Sequence, residues 1–214
     1  MIKIHKLTYN PFSENMYILS DETNECVVID PGCYAPEERE HLKNYIVQNE
    51  LRPVKLLNTH CHLDHVFGNY FVAKEWGLEL GANELDLPTL HHMPIAANMY
   101  GITGYQQSPE PSYFINEGDK VTFGNSELEV LFTPGHAPGH IVFYSLEDNF
   151  VINGDVLFQG SFGRYDLPGG DIEVLKKTIT EKMFKLPEDM VVYTGHGPET
   201  TIGAEKMTNP ILSY

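Results

Sequence analysis

The chain has 214 residues, a formal net charge of −16 at pH 7, 42% hydrophobic residues and 21% charged residues. This length suits one domain, since single cores grow to roughly 250 residues before chains divide, and no segment is apolar enough to cross a bilayer. The negative charge disfavours nucleic acid as a partner, because binding to phosphates relies on a basic surface.

The first residues, MIKIHKLT, alternate between apolar and polar side chains. This pattern predicts a half-buried strand rather than a signal peptide, so we expect a cytoplasmic protein. The three cysteines, Cys26, Cys33 and Cys61, form no C-x-x-C motif. They therefore favour neither a disulfide framework nor a cysteine zinc site, and we expect reduced, structural thiols.

The first half of the chain begins with strand-like segments and then alternates with helical ones. A Pro-Gly turn at residues 31–32 ends the third strand, and Pro36 begins a helical pattern at a position where proline is tolerated. The predicted strands are Ile2–Leu7, Met16–Ser20, Cys26–Asp30 and Val54–Asn58, and the predicted helices are Pro36–Gln48 and Phe67–Trp76.

The second half repeats this alternation after a weaker stretch. Glu84–Met99 is predicted as an imperfect helix and 100–113 as a loop, since four prolines interrupt the pattern between 80 and 116. A helix is predicted over Ile172–Phe184. The predicted strands are Lys120–Phe123, Glu127–Phe132, Ile141–Ser145, Phe150–Asn153 and Val191–Thr194. Such an order indicates an α/β protein with two sheets and helices outside them.

Potential metal ligands stand at strand ends in four places. The stretch THCHLDH, residues 59–65, holds three histidines and one aspartate. Imidazole and carboxylate suit zinc and similar divalent ions, and neighbouring glycines permit tight turns. The candidates are His60, His62, Asp64 and His65, then His136 in TPGHAPGH, Asp155 in INGDVLF and His196 in TGHG.

Simpler explanations exist for single residues of this set. Asp64 could cap the helix that follows it, and Asp155 or His196 alone could be structural. The THCHLDH cluster alone could form a closed structural zinc site, which needs four ligands. Together with the three distant candidates, however, the ligands are too many for one closed tetrahedral ion. For His5, His41, His91 and His92 we expect core or surface roles.

The joint pattern H-x-H-x-D-H, TPGHxPGH, GD and TGHG resembles the metallo-β-lactamase superfamily, and within it a small single-domain member of the glyoxalase II-like (hydroxyacylglutathione hydrolase-like) branch. The resemblance implies one four-layer αββα sandwich over residues 1–214. It also implies two metal ions: the first is held by His60, His62 and His136, the second by Asp64, His65 and His196, and Asp155 bridges both.

The implied activity is hydrolysis of a thioester by attack of a metal-bridging hydroxide, which Asp64 orients while it binds the second ion. The resemblance implies two divalent ions, zinc first and iron or manganese as alternatives. We expect a small acyl-thioester as substrate, no nucleic acid or membrane partner, and a monomer or homodimer. The alternative is a mononuclear iron oxygenase similar to persulfide dioxygenases, with iron on His60, His136 and Asp155.

Other residues have expected supporting roles. Arg164 and Tyr165, in a segment where glyoxalase II enzymes contact substrate, are candidates for substrate binding, although Arg164 could equally pair with Asp166 or Asp171. Asp30, Thr59 and His140 are candidates for hydrogen bonds that orient the metal ligands; Asp30 could instead cap the turn at 31–32. The 80–116 segment is the expected source of substrate choice.

Overall fold

A computed structural model describes all 214 residues, and it divides the chain into two compact units. The first unit comprises residues 1–115 and 122–127, and the second comprises 116–121 and 128–214. The chain forms two six-stranded sheets, and each of them mixes parallel and antiparallel strands. Every helix is too short or too polar to span a bilayer.

The sheet of the first unit has its strands in chain order. Antiparallel pairs join the first three strands, and parallel pairs join the third to the sixth. The strands are β1 (Lys3–Tyr9), β2 (Glu14–Ser20), β3 (Glu25–Ile29), β4 (Arg52–Leu57), β5 (Leu80–Ala82) and β6 (Tyr113–Phe114). The helices are α1 (Pro36–Gln48), α2 (Leu63–Val66), α3 (Asn69–Trp76) and α4 (Leu87–Met99), with a 3₁₀ turn at Glu84–Asp86.

Helix α1 packs on one face of this sheet. The carboxylate of Glu38 accepts hydrogen bonds from the backbone N–H groups of Tyr34 and Ala35, at 2.7 and 2.9 Å, and so satisfies donors at the helix start. Leu42 and Ile46 then enter a buried cluster with side chains of β2, β3, β4 and α3. Their burial packs α1 against the parallel strands β3 and β4. The candidate ligands begin in the loop that follows β4.

The other six-stranded sheet contains β7 (Lys120–Phe123), β8 (Ser126–Phe132), β9 (Ile141–Ser145), β10 (Phe150–Gly154), β13 (Val191–Thr194) and β14 (Thr200–Thr201), and a separate hairpin contains β11 (Leu157–Phe158) and β12 (Ser161–Phe162). The strand order of this sheet is β14-β13-β10-β9-β8-β7. Helix α5 (Ile172–Glu181) is capped by the carboxylate of Asp171. Helix α6 (Ile202–Thr208) follows β14, and 3₁₀ turns lie at Met183–Lys185 and Pro210–Ser213.

The predicted α/β class is confirmed, and most predicted elements are present with shifted ends. The helix predicted from Phe67 begins at Asn69, because a separate helical turn, α2, already contains Asp64 and His65. The helix predicted from Glu84 begins as a 3₁₀ turn and becomes α4 at Leu87. The short strands β5, β6, β11, β12 and β14 have two or three residues each, too few for a periodic pattern in the sequence.

Candidate functional site

The THCHLDH stretch directly follows β4 and brings three imidazole rings together. The His60 ring centroid lies 4.8 Å from that of His62 and 4.1 Å from that of His65. All three side chains are buried, and His62 is the N-cap residue of α2, the helical turn that carries Asp64 and His65. We call His60, His62, Asp64 and His65 the first ligand group.

Asp30, at the end of β3, organises this group. Its backbone adopts a positive φ of 50°, and its buried carboxylate accepts hydrogen bonds from Thr59 and Asn58. Oδ1 accepts from the Thr59 N–H at 2.7 Å, and Oδ2 accepts from the Thr59 hydroxyl at 2.5 Å. Oδ2 also lies 3.2 Å from Nδ1 of His65. The carboxylate is therefore directed to the ligand loop and to a ligand.

These contacts fix which ring nitrogen carries the proton. A carboxylate only accepts hydrogen bonds, so His65 donates from Nδ1 to Asp30 and has its lone pair on Nε2. The Thr59 hydroxyl gives its one hydrogen to Asp30 and must accept from Nδ1 of His60, at 3.1 Å. His60 therefore also has its lone pair on Nε2, the form in which neutral imidazole binds a metal.

His136, Asp155 and His196 form the second ligand group. Nε2 of His136 lies 3.6 Å, and Nε2 of His196 lies 3.5 Å, from the same oxygen, Oδ2 of Asp155. Asp155 follows β10 after a register shift between Ile152 and Gly154 in the pairing with β13. That irregularity, at a glycine with a positive φ of 51°, turns the chain so that Asp155 faces both histidines.

Backbone hydrogen bonds hold this second group. Nδ1 of His136 donates to the carbonyl oxygen of Arg164 at 2.6 Å, since a carbonyl can only accept, and this leaves its lone pair on Nε2. His140 is not a ligand in this arrangement. Its Nε2 accepts a hydrogen bond from the backbone N–H of Asp155 at 3.1 Å, and its Nδ1 contacts the Thr133 hydroxyl at 3.0 Å.

The donor chemistry of both groups fits divalent metal ions. In the neutral form, Nε2 of His136 directs a lone pair towards a carboxylate oxygen at 3.6 Å, and Nε2 of His65 does so towards Oδ2 of Asp64 at 3.8 Å. Two acceptors at this spacing repel each other unless a cation lies between them. Two ligands of one tetrahedral ion with bonds of about 2.0–2.2 Å stand about 3.4 Å apart, close to these distances.

The side chains of Arg164 and Tyr165 are not part of either group. Arg164 forms a bidentate ion pair with Asp166, at 2.8 and 2.9 Å, and this hydrogen bonding lowers the pKa of the exposed Asp166 carboxyl to about 2. The predicted ion pair with Asp166 is therefore present, and a contact of the Arg164 side chain with substrate stays a prediction. Tyr165 lies against Phe162 and Tyr214.

Two buried acids beside the first group were not predicted. Asp86 is fully buried and accepts a hydrogen bond from the Cys61 N–H at 2.5 Å, within the ligand loop. Glu14 is also fully buried, and its Oε1 lies 3.9 Å from Nδ1 of His65. Asp86 ends the 3₁₀ turn that precedes α4, in the stretch between 80 and 116 where the sequence pattern is weak. Nothing in the sequence around Glu14 distinguishes it from a surface residue.

Cys61 lies between two candidate ligands, but its thiol belongs to the core. It packs with Phe67, Leu90 and Met93, and burial, followed by the charge of Asp86, raises its pKa well above the usual value. We expect Cys61→Ala to retain the metal content of the wild type, at a cost of about 1 kcal/mol in stability for the lost packing. Elemental analysis tests this, with Cys33→Ala, in another buried cluster, as control. Loss of metal from Cys61→Ala alone would contradict it.

Buried histidine and carboxylate groups on strand-end loops of an α/β fold define a metal-binding protein. The family model of the metallo-β-lactamase superfamily matches residues 9–196. The chain therefore belongs to the metallo-β-lactamase superfamily, whose mixed α/β fold it has. The superfamily predicted from the ligand motifs is confirmed, and with it the coarse class of metal-binding hydrolase.

Similar proteins match over nearly the whole chain. Hydroxyacylglutathione hydrolase GloC of Haemophilus influenzae is 36% identical over 213 residues, which cover 99% of each chain, in agreement with the predicted glyoxalase II-like branch. A crystal structure of TTHA1623 in a di-iron-bound form has 37% identity and a TM-score of 0.87, covering 96% of this chain and 98% of that one. The BLEG-1 B3 metallo-β-lactamase has 32% identity and a TM-score of 0.86, with full coverage of both chains.

Proposed function

We propose that the protein is a dinuclear metal-dependent hydrolase that cleaves thioesters. The ions are divalent, zinc in the first place, and their ligands are those that the family resemblance assigns: His60, His62, Asp64, His65, His136, Asp155 and His196. The observation that carries the proposal is the shared oxygen of Asp155, which lies 3.6 Å from one histidine nitrogen and 3.5 Å from another. One carboxylate oxygen between two histidines supports a bridging role.

The chain's own residues prepare the ligands. Asp30, Thr59 and the Arg164 carbonyl hold protons on the Nδ1 atoms of His65, His60 and His136, which keeps each Nε2 lone pair available. Such partners raise ligand basicity and fix ring orientation. When bound, divalent ions supply a nucleophile at neutral pH by lowering the pKa of coordinated water, and they polarise the acyl carbonyl.

The second ligand group supports two ions over a single iron. An oxygenase triad of His60, His136 and Asp155 would leave His196 without a role in metal binding. His196 nevertheless lies as close to Oδ2 of Asp155 as His136 does, at 3.5 and 3.6 Å. Asp30 likewise fixes the tautomer of His65. A metal ligand requires a fixed tautomer, whereas a histidine that binds no metal does not.

The proposal of thioesters as the substrate class rests on the relatives. The relative named hydroxyacylglutathione hydrolase is matched over 99% of its length, so that protein, too, is of similar size to this chain. Here Arg164 is paired with Asp166 and Lys206 with Glu188, each at 2.8 Å. Neither cation is positioned as a dedicated contact for the carboxylates of a thiol carrier, so we propose that the acyl-thioester linkage itself is the recognised feature.

A thiol-release assay on metal-loaded protein tests this proposal. We expect turnover of at least one acyl-thioester in a panel that includes a hydroxyacylglutathione, and loss of turnover on treatment with a chelator. Restoration by added zinc, iron or manganese identifies the ion that supports activity. Absence of thiol release across the panel, with two ions bound per chain, would contradict thioester hydrolysis.

Elemental analysis of protein purified without added metal tests the number of ions. We expect two divalent ions per chain, as the shared carboxylate oxygen of Asp155 favours. One iron per chain, together with oxygen consumption on a persulfide, would instead support the mononuclear oxygenase and overturn the proposed hydrolase.

A further inference from the structure

The hairpin of β11 and β12 returns the chain to the second ligand group immediately after Asp155. Gly163 donates a backbone hydrogen bond to Val156 at 3.1 Å. A Cβ at Gly163 would overlap the backbone oxygen of Asp155, so only glycine permits this close approach. The next residue, Arg164, offers the carbonyl that holds Nδ1 of His136. The orientation of His136 therefore depends on where the end of this hairpin lies.

Residues 200–214 hold the hairpin by its backbone. The buried carboxylate of Glu205 accepts from the Gly160 N–H at 3.1 and 3.2 Å, and it is itself fixed by Thr200 and Asn209. The Asn209 side chain also donates to the carbonyl of Ser161 at 2.7 Å. These contacts attach the tip of the hairpin to α6 and the turn after it.

The Tyr214 ring contacts one residue before Arg164 and one after it, at the end of the hairpin. Its ring packs edge-on against Phe162, with centroids 5.2 Å apart, and against Tyr165 at 6.2 Å. Its backbone oxygen accepts a hydrogen bond from the Lys176 side chain on α5. Arg164 has its own side chain turned to Asp166 at the surface, so its carbonyl is positioned by these two aromatic neighbours.

We propose that Tyr214 is a positioning residue for the metal ligand His136, acting through Phe162, Tyr165 and the carbonyl of Arg164. The proposal rests on the proposed function in so far as His136 binds metal. Its basis is a continuous set of contacts within the second unit, from the Tyr214 ring to Nδ1 of His136. Residues 200–214 then serve the metal centre as a brace for the hairpin.

The test compares Tyr214→Ala, Tyr214→Phe and Met207→Ala. Met207 is 77% exposed on the same segment and serves as the matched control. We expect Tyr214→Ala to weaken zinc binding by about threefold to tenfold in chelator competition, less than the 10- to 100-fold typical when a direct partner of a ligand is lost. Tyr214→Phe keeps the ring and should recover most of the affinity, and Met207→Ala should equal the wild type.

A second readout requires neither metal nor activity. In the metal-free protein, ¹⁵N-edited NMR of the histidine rings should detect the Nδ1–H of His136 in the wild type and in Tyr214→Phe. In Tyr214→Ala that resonance should shift and exchange faster with water, while circular dichroism stays unchanged. If Tyr214→Ala does not fold, Phe162→Leu, which removes the other side of the ring contact, replaces it with the same expected results.

The outcomes separate this inference from the proposed function. A wild type that binds no metal but still has the protected Nδ1–H signal would refute the metal proposal and leave the positioning contact supported. A folded Tyr214→Ala with wild-type zinc affinity and an unchanged His136 resonance would overturn the inference. Equal losses in Tyr214→Ala and Met207→Ala would also overturn it, because the effect would then be general destabilisation.

Discussion

Asp155→Asn is expected to abolish thioester hydrolysis, with a fall in kcat/KM of about 1,000-fold or more. The substitution keeps the size of the side chain but removes the negative charge, and its amide nitrogen cannot bind a metal. The Asp155 oxygen closest to the histidines is near both His136 and His196. Its loss should therefore affect both ions, and two-metal sites depend on both for charge stabilisation.

The metal-free Asp155→Asn protein is expected to be at least as stable as the wild type. An asparagine amide can donate to the lone pair that Nε2 of His136 directs towards this position, whereas a carboxylate cannot. We expect the free energy of unfolding to stay within about 0.5 kcal/mol of the wild type or to rise. Urea unfolding of metal-free protein, with metal stoichiometry measured alongside, separates loss of metal from loss of fold.

Asp166→Asn is the matched control for this change. Asp166 carries the same functional group in the segment after the hairpin, but it is exposed and forms an ion pair with Arg164. Exposed ion pairs of this kind contribute about 0–1 kcal/mol, so activity should change little. Asp155→Asn with two bound ions and wild-type turnover would remove Asp155 from the ligand set.

The candidate metal ligands could be recognised in the sequence because metal-binding side chains form local motifs. Imidazoles and carboxylates in H-x-H-x-D-H and GD settings stand at strand ends, and these motifs were sufficient to recognise the superfamily. The strands themselves are predictable for the same local reason: β9 and β10 are runs of buried apolar residues. Both signals are contained within a few consecutive positions.

The partners of the ligands could be predicted only in part. Asp30 and Thr59 stood close enough to strand ends to be candidates, but their mutual hydrogen bonds join positions 29 residues apart. The contact between His136 and Arg164 is made by a backbone carbonyl, which any residue provides. Glu14 and Asp86 are acids whose burial is decided by tertiary packing. None of these contacts has a pattern that is local in sequence.

The role predicted for Arg164 illustrates the same limit. Its position in the segment similar to glyoxalase II enzymes suggested a side chain that contacts substrate. In the structure the side chain pairs with Asp166, and the carbonyl accepts a hydrogen bond from His136; the substrate contact itself stays a prediction. A sequence shows which side chain each residue has, but not where its backbone carbonyl lies. The contact of the Arg164 carbonyl with His136 could therefore not be predicted.

Asp30 is the residue through which the first ligand group is held, and Asp30→Asn is expected to weaken metal binding by about 10- to 100-fold without unfolding the protein. Asparagine tolerates the positive φ of 50° at this position, and its oxygen can still accept from the Thr59 N–H. Its NH₂ group, however, faces Nδ1 of His65. Two donors cannot share that contact, so His65 should move its proton to Nε2 and lose the lone pair that binds metal.

Asp30→Ala separates this electronic effect from the structural one. Alanine leaves the buried donors of Thr59 and His65 without an acceptor, at about 1–3 kcal/mol for each, and it adds strain at a left-handed backbone position. We expect a loss of about 3 to 5 kcal/mol in urea unfolding of the metal-free protein, against less than about 1.5 kcal/mol for Asp30→Asn. Wild-type metal affinity in a folded Asp30→Asn protein would mean that Asp30 does not set the tautomer of His65, and the hydrogen bond between them would then be structural only.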